Sequence, residues 1–226
     1  MGTQLSELSG RDTEASLGAV YVGIYWTLPV NWAGFRDLPP EVDAAAAASR
    51  TIRYQRERVQ RYVKAEAGKL IDEIAFMETR TDRATDAVRD VLLRHAPALH
   101  TTRPTLLTVR FDAAQHWRPN PFIQHAADEL GLRLMSLPPD AVVIDGQVFD
   151  PARHFAAWRR RDESAMARLR LAAEEGLRAA LAATAAGSGR WSVVAEMLNA
   201  DGTKTIRGGR WTPENVRKLA SRISRA

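Results

Sequence analysis

The residue types best suited to chemistry in this chain are arginines and lysines near its carboxyl terminus. Residues 190–226 contain eight Lys or Arg and three Asp or Glu, whereas residues 1–189 contain 24 of each sign. Guanidinium and ammonium groups bind phosphate oxygens, so this local charge indicates a polyanionic partner. The alternative is a helical cap whose charges only face solvent. The candidate binding residues are Arg207, Arg210, Arg217, Lys218, Arg222 and Arg225.

Two short helices around a glycine-bearing turn are predicted to hold these cations. Asn199 and Gly202 stop the first helix, since both residue types tolerate positive φ. The second helix is predicted to begin with Thr212 as N-cap and Pro213 at the first helical position. Apolar residues at helical spacing give each helix one inward face. These are Val193, Val194, Met197 and Leu198 in the first helix, and Val216, Leu219, Ala220 and Ile223 in the second.

Residues 191–223 resemble the carboxyl-terminal DNA-binding segment of serine recombinases, the resolvase and invertase family. In that family a helix ending in Leu-Asn precedes a short basic linker with Gly-Gly and Trp, and a second helix follows with Val and Leu facing inward. The matching residues here are Leu198, Asn199, Gly208, Gly209, Trp211, Val216 and Leu219. The resemblance covers this segment nearly without gaps.

The resemblance implies that the last helix enters the major groove of double-stranded DNA. Its cations would then contact phosphates or base edges, and these are Arg217, Lys218, Arg222 and Arg225. Arg207 and Arg210, which flank the glycine pair, would grip the adjacent backbone or minor groove.

Serine recombinases cleave DNA with a serine nucleophile surrounded by arginines that neutralise the phosphate. The nucleophile normally follows the first strand in an Arg-Val-Ser-Thr pattern. The matching residues here are Ile24, Tyr25, Trp26 and Thr27, so an apolar residue replaces the Arg and a Trp replaces the Ser. Thr27 is therefore a poorly activated substitute.

Ser49 is a second candidate nucleophile, because Arg50 and Arg53 lie beside it in the sequence. Its other interpretation is an ordinary solvated helix residue. Arg83 matches the family's Asp-Arg element after the second strand, and its other interpretation is a surface residue at a helix start.

The family's Asp-Arg-Leu-Gly-Arg element after the third strand is also altered here. Asp112 and Arg118 match its ends, but Ala113 replaces its first Arg. Loss of one donor to a developing anion costs about 10²–10³ in rate, so loss of several is expected to abolish useful cleavage.

Three hypotheses follow. The first is a DNA-binding or regulatory protein of serine-recombinase descent with a degenerate catalytic site. The second is an active recombinase that uses Ser49 with Arg50, Arg53 and Arg83. The third is an interaction scaffold whose basic tail meets an acidic protein.

The hydrophobic pattern alternates between strands and helices in the first two thirds of the chain. Strands are predicted over residues 19–26, 69–77, 105–111 and 132–136, helices over 43–67, 82–93 and 121–130, and an Asp-Gly hairpin over 142–149. This order predicts an α/β fold with a mainly parallel sheet and helices on both faces. It resembles the family's catalytic domain, with Gln55, Val59, Tyr62 and Gly68 resembling its first helix.

Four parts are predicted along the chain. They are a mobile N-terminus (1–17), a resolvase-like α/β domain (18–149), a long connecting and dimerisation helix (150–186) and a helix-turn-helix-like DNA-binding module (190–226). A helix of about 35 residues is roughly 50 Å long, and one that long usually packs on a partner chain or bridges two modules. A homodimer or higher homo-oligomer is expected.

Composition excludes several other classes. The chain contains no Cys, so a disulfide framework, a zinc finger and a thiol nucleophile are excluded. The five histidines lack the i,i+3 or i,i+4 spacing of a metal pair, and neither a metal nor an organic cofactor is expected. No apolar run reaches the roughly 18–20 residues that span a bilayer, and no signal peptide is recognisable. A cytoplasmic, nucleoid-associated protein without membrane contact is expected.

Overall fold

A computed structural model describes residues 18–78, 85–111 and 120–224 and divides the chain into two units at Pro151. The predicted mobile N-terminus (1–17) lies outside the described residues. So do Arg83, Asp112, Arg118 and Arg225.

The secondary structure follows the alternation predicted from the sequence. The strands are β1 (Val20–Thr27), β2 (Lys69–Met77), β3 (Thr105–Val109), β4 (Leu134–Leu137), β5 (Val142–Ile144) and β6 (Gln147–Phe149). The helices are α1 (Val42–Ala48), α2 (Arg50–Ala65), α3 (Ala87–Thr102), α4 (Pro121–Glu129), α5 (Pro151–Ala183), α6 (Arg190–Ala200) and α7 (Pro213–Ile223), with a 3-10 turn at Asn31–Ala33.

The first unit is built on a four-stranded parallel sheet in the order β2-β1-β3-β4. Side chains alternate between the two faces of a strand. On β1, Val22 and Ile24 join a core with α3 and α4, whereas Tyr21 and Tyr25 lie on the face where α2 packs. The predicted α/β class, with a mainly parallel sheet and helices on both faces, is confirmed.

The core beneath α3 and α4 is apolar and mostly aliphatic. It brings together buried residues of three strands and two helices, since the apolar positions of each helix recur every three or four residues. Its principal members are Val22, Ile24, Ile74, Phe76, Val88, Leu92, Leu99, Leu106, Ile123 and Ala126.

The opposite face of the sheet contains a partly buried polar network. The Tyr25 side chain lies over Gly23, and a Cβ added at Gly23 would overlap the Tyr25 hydroxyl oxygen. That hydroxyl donates to Glu73 at 2.7 Å, and Arg56 donates to both carboxylate oxygens of Glu73. Burial and the adjacent Glu73 carboxylate raise the pKa of Tyr25 far above its usual range.

The single helix predicted over 43–67 is wrong, because the chain forms α1 and α2 with a break at Ser49. The Ser49 backbone is extended (φ −124°, ψ 114°), and its side chain accepts a hydrogen bond from the Ile52 backbone N–H. A serine hydroxyl offers the backbone this local alternative to a continuous helix. The alanine run before Ser49 favours helix and forms α1, but it does not prevent a break at Ser49.

The hairpin predicted over 142–149 is confirmed as β5 and β6. Positive φ values at Asp145 (51°) and Gly146 (74°) fit the type I′ turn. The hairpin is attached to α2, where Arg61 donates to the Val143 carbonyl at 2.9 Å and Arg53 pairs with Asp145.

The second unit is a small helical bundle formed by the end of α5 with α6 and α7. Its buried residues include Ala173, Leu177, Ala180, Val194, Leu198, Trp211, Val216, Leu219 and Ala220. Helix α5 itself runs for 33 residues. Among the described residues, no helix combines the length and apolarity needed to cross a bilayer.

Candidate nucleic-acid interface

Helix α7 begins at a capping box. The Thr212 hydroxyl accepts from the Asn215 backbone N–H at 3.3 Å, and the Asn215 side-chain oxygen accepts from the Thr212 backbone N–H at 2.8 Å. Pro213 occupies the first turn, where a missing N–H costs nothing. Thr212 is confirmed as the N-cap, and the start of α7 is fixed.

The Asn199 side chain holds the entry to α7 from the end of α6. Its amide donates to the Trp211 carbonyl at 3.0 Å and accepts from the Trp211 N–H at 2.9 Å. Trp211 is 4% exposed, and its Nε1 donates to the Thr203 carbonyl at 3.1 Å. The sequence analysis treats Asn199 as a helix stop and, like Trp211, as a position of the family resemblance, but it does not predict that the two residues are hydrogen-bonded. The sequence feature that could have indicated this contact is an Asn at the end of one helix and a Trp just before the next, with a glycine-bearing loop between them.

The loop between α6 and α7 contains a tight hairpin. Gly208 N–H donates to the Thr205 carbonyl at 2.7 Å, and Thr205 N–H donates to the Gly209 carbonyl at 3.0 Å. Gly208 has a φ of 79°, as a type I turn followed by a left-handed residue requires. Ile206 and Arg207 therefore form the tip of a defined turn, which we call the hairpin tip.

The predicted DNA-binding cations within the described residues are all exposed. They are Arg207, Arg210, Arg217, Lys218 and Arg222. Lys218 pairs with Glu214 at 2.6 Å, and this contact lowers the pKa of the Glu214 carboxyl. In the part of the chain that the structure describes, Arg217 and Arg222 have no acidic side chain within ion-pairing distance. Their charge remains available to an external anion.

The predicted stripe of α7 packs on the bundle, with Val216, Leu219 and Ala220 buried and Ile223 partly buried. The face predicted for α6 needs one correction. Val193 is 47% exposed, because the core instead receives Val194, Ala195 and Leu198.

The candidate nucleophiles meet at the carboxyl end of β1. In open α/β sheets, ligands bind outside this end of the strands, where the strand order reverses. Ser49 Oγ donates to Thr27 Oγ1 at 3.0 Å, and the two residues are 6% and 4% exposed. The Gln55 amide holds the preceding backbone, donating to the Trp26 carbonyl at 2.7 Å. The structure therefore brings Ser49 and Thr27 together, but it uses both hydroxyls in local packing and capping.

The two arginines that follow Ser49 contact their own unit. Arg53 donates to the Ala46 carbonyl at 3.1 Å and pairs with Asp145. Arg50 stacks over the Phe149 ring at 5.5 Å from its centroid and donates to Gln147 at 3.3 Å. Both guanidinium groups are therefore held by contacts within the first unit.

Glu78 is a buried carboxylate at the same edge that sequence reasoning missed. It accepts from the Thr85 N–H and hydroxyl at 3.1 and 2.8 Å, and from the Asn120 amide at 2.8 Å. Its backbone N–H donates to the Thr27 carbonyl at 2.9 Å. The available signal was an acidic residue directly after the apolar run of β2. The Glu78 carboxylate accepts hydrogen bonds from all three of these donors, and it thereby connects the segments at the carboxyl end of the sheet.

Comparison with protein-family models, with curated proteins and with solved structures finds no match to this chain.

Proposed function

We propose that this chain is a DNA-binding protein of serine-recombinase descent, with a resolvase-like fold in its first unit and a degenerate catalytic site. It would act as a site-specific DNA-binding or regulatory factor in the cytoplasm, associated with the nucleoid. The observation that carries the proposal is the pair of exposed cations Arg217 and Arg222, which have no acidic partner among the described residues and lie on a helix whose start is fixed by a capping box. A fixed helix with exposed arginines suits entry into a DNA groove.

The arrangement at the carboxyl end of β1 supports the degenerate site. A recombinase nucleophile needs access to a phosphate and arginines around it. Ser49 is buried and caps α2, while Arg53 is paired with Asp145. These contacts give the hydroxyl and the guanidinium structural roles.

DNA binding is tested by fluorescence anisotropy of the full chain with a labelled mixed-sequence duplex across a salt series. The test variant is Arg217→Glu with Arg222→Glu. We expect an affinity loss of at least about tenfold at low salt and a shallower salt dependence, since each lost phosphate contact lowers the slope by about 0.9.

The matched control is Lys64→Glu with Arg94→Glu, which makes the same charge change at exposed residues of α2 and α3. It should bind DNA nearly as the parent does. Equal losses in both variants would show that only net charge matters, and no binding by the parent chain at low salt would refute the proposal.

An active recombinase is kept as a second candidate, because Ser49 lies at the carboxyl end of β1 beside Thr27. This candidate requires a covalent protein–DNA link that Ser49→Ala removes and Thr27→Ala retains. The test is denaturing electrophoresis of the chain after incubation with a supercoiled plasmid pool. The proposed degenerate site requires that no such link forms.

Self-association through α5 is part of the proposal. Met166 and Leu171 are 38% and 57% exposed on this helix and line a groove with Glu163 and Arg170. A second copy packed antiparallel about a twofold axis beside Met166 would set Glu163 of one copy opposite Arg170 of the other. The face is therefore self-complementary in charge and apolar at its centre.

Sedimentation of the full chain tests this contact. Arg170→Glu should weaken the dimer, and addition of Glu163→Arg should restore it, because the charges are then exchanged. A monomer at high concentration, or a double variant no better than the single one, would refute the antiparallel contact.

A further inference from the structure

The second unit has a groove between the hairpin tip and α7, with a volume of about 380 Å³. Its floor is apolar and consists of Ile206, Trp211 and Leu219, of which Trp211 and Leu219 are buried. Its rim carries three exposed cations, Arg207, Lys218 and Arg222. We call this feature the hairpin groove.

The floor and rim together specify a ligand with two chemical characters. The ligand must present anions to the rim and an apolar surface to the floor. A DNA strand does so along its backbone, where each phosphate is followed by a deoxyribose with a largely apolar face. We infer that the hairpin groove binds the sugar–phosphate backbone of one DNA strand, while Arg217 lies elsewhere on α7 and contacts base edges.

Helix geometry separates Arg217 from the hairpin groove. Successive residues turn by about 100°, so Arg217 and Arg222 lie roughly 140° apart around α7. Lys218 and Arg222, one turn apart, line the groove. Arg217 does not, and it remains exposed on the other flank of the helix. An exposed arginine near the start of a helix is well placed for the bidentate contact that guanidinium makes with guanine.

Charge continuity favours a polynucleotide over an acidic peptide. Besides the groove's three cations, Arg210 is exposed outside the groove, in the segment that leads into α7. A ligand that also contacts Arg210 must therefore remain anionic beyond the groove. A nucleic acid strand has this property by construction, since every nucleotide carries a phosphate.

This inference rests on the proposed DNA binding, and it divides the cations into two groups with different measurable effects. Loss of a phosphate contact lowers the affinity uniformly across sequences and reduces the salt slope. Loss of a base contact instead reduces the sequence preference. Arg207, Lys218 and Arg222 belong to the first group. Arg217 belongs to the second.

The experiment uses the full chain with two labelled duplexes, a mixed-sequence duplex and the duplex that the parent chain selects from a randomised pool. Affinities are measured across a KCl series for Arg207→Ala, Arg222→Ala and Arg217→Ala. Each groove variant should reduce the salt slope by about 0.9 on both duplexes and leave the preference ratio unchanged. Arg217→Ala should retain the slope on the mixed-sequence duplex and lose the preference.

Lysine variants separate loss of a contact from loss of folding. Arg222→Lys should restore the slope, because an ammonium still binds a phosphate as a point charge. Arg217→Lys should not restore the preference, because it lacks the fork geometry of a bidentate contact. Thermal unfolding of each variant should match that of the parent chain.

The failures are distinguishable. No DNA binding by the parent chain overturns the proposed function and this inference with it. DNA binding with slopes unchanged in the groove variants overturns the inference alone. So does a groove variant that loses binding to labelled polyglutamate while its DNA binding is retained, since the groove would then be a site for acidic peptides.

Discussion

Helices α2 and α7 are both rich in arginine, and they use it in opposite ways. On α2, Arg53 pairs with Asp145, Arg56 with Glu73, and Arg58 with Asp140. On α7, Lys218 has a partner in Glu214, but Arg217 and Arg222 have none among the acidic side chains that the structure describes. The number of basic residues, six on α2 and three on α7, does not decide which cations are available to a ligand. The location of the acidic residues does.

The difference shows what makes positive charge available to a ligand. The acids that partner α2 come from β2 and from the segment around the β5–β6 hairpin, which are distant in sequence and close in space. These pairs attach α2 to its own unit. Among the described residues, Arg217 and Arg222 form no ion pair, so their charge can serve association. The following changes test this contrast, in order of decreasing effect.

Trp211→Ala should have the largest effect. Truncating a buried aromatic residue costs about 3–5 kcal/mol, and here it also leaves the Asn199 amide with a less ordered partner. We expect the second unit to unfold at lower temperature and DNA binding to disappear, while the first unit keeps its transition. Calorimetry of the full chain measures both transitions. Val193→Ala, on an exposed side chain, is the control and should change neither.

Gly23→Ala should destabilise the first unit and leave the second unit and DNA binding unchanged. The added methyl group would overlap the Tyr25 hydroxyl, which is buried and bonded to Glu73, and such overpacking costs about 1–3 kcal/mol. The first unit should lose stability in urea unfolding, and DNA affinity of the folded chain should be retained. Loss of DNA affinity without loss of stability would mean that the first unit contributes directly to binding.

Ser49→Ala should have a smaller effect on the first unit. Removing an N-cap hydroxyl costs about 1 kcal/mol, and the substitution also removes the hydrogen bond to Thr27. Urea unfolding of the variant measures the loss, with Ser164→Ala on an exposed stretch of α5 as the control. An unchanged stability would indicate that the hydroxyl is not committed to capping, and the nucleophile hypothesis would gain support.

Glu214→Gln should have the smallest effect, and in the favourable direction. The substitution removes the carboxylate beside Lys218, so the ammonium is available to DNA. We expect affinity for a mixed-sequence duplex to rise roughly threefold, as suits the loss of one exposed ion pair. Glu196→Gln, an exposed acid on α6, is the control. Equal gains in both variants would assign the effect to net charge.

Much of the fold follows from local patterns that the sequence displays directly. The apolar run of residues 69–77 coincides with β2, and the Asp145-Gly146 pair specifies its hairpin. The start of α7 was predictable because Thr212 and Pro213 carry their own capping chemistry. The break at Ser49 was not, since the alanines before it and the long periodic segment after it both favour helix.

The exposure of the candidate binding residues was predictable from the sequence, but the contacts of the candidate catalytic residues were not. Exposure of the carboxyl-terminal arginines followed from the apolar stripe of α7. The pairing of Arg53 with Asp145 and the three donors around Glu78 depend on contacts across the fold, and no spacing in the sequence reveals them. Sequence proximity placed Ser49 beside arginines, whereas the structure assigns those arginines to the hairpin and to α1.

The Asn199–Trp211 clamp also bears on how this protein can diversify. Because the amide joins the two ends of the intervening loop, the loop leaves and re-enters the bundle at fixed points. Residues inserted between those points would extend the hairpin without moving the start of α7. Chain-closure entropy makes such extensions inexpensive, at about 0.6 kcal/mol for each doubling of loop length. The hydrogen bonds between Asn199 and Trp211 therefore allow the loop sequence to change while α7 keeps its starting position.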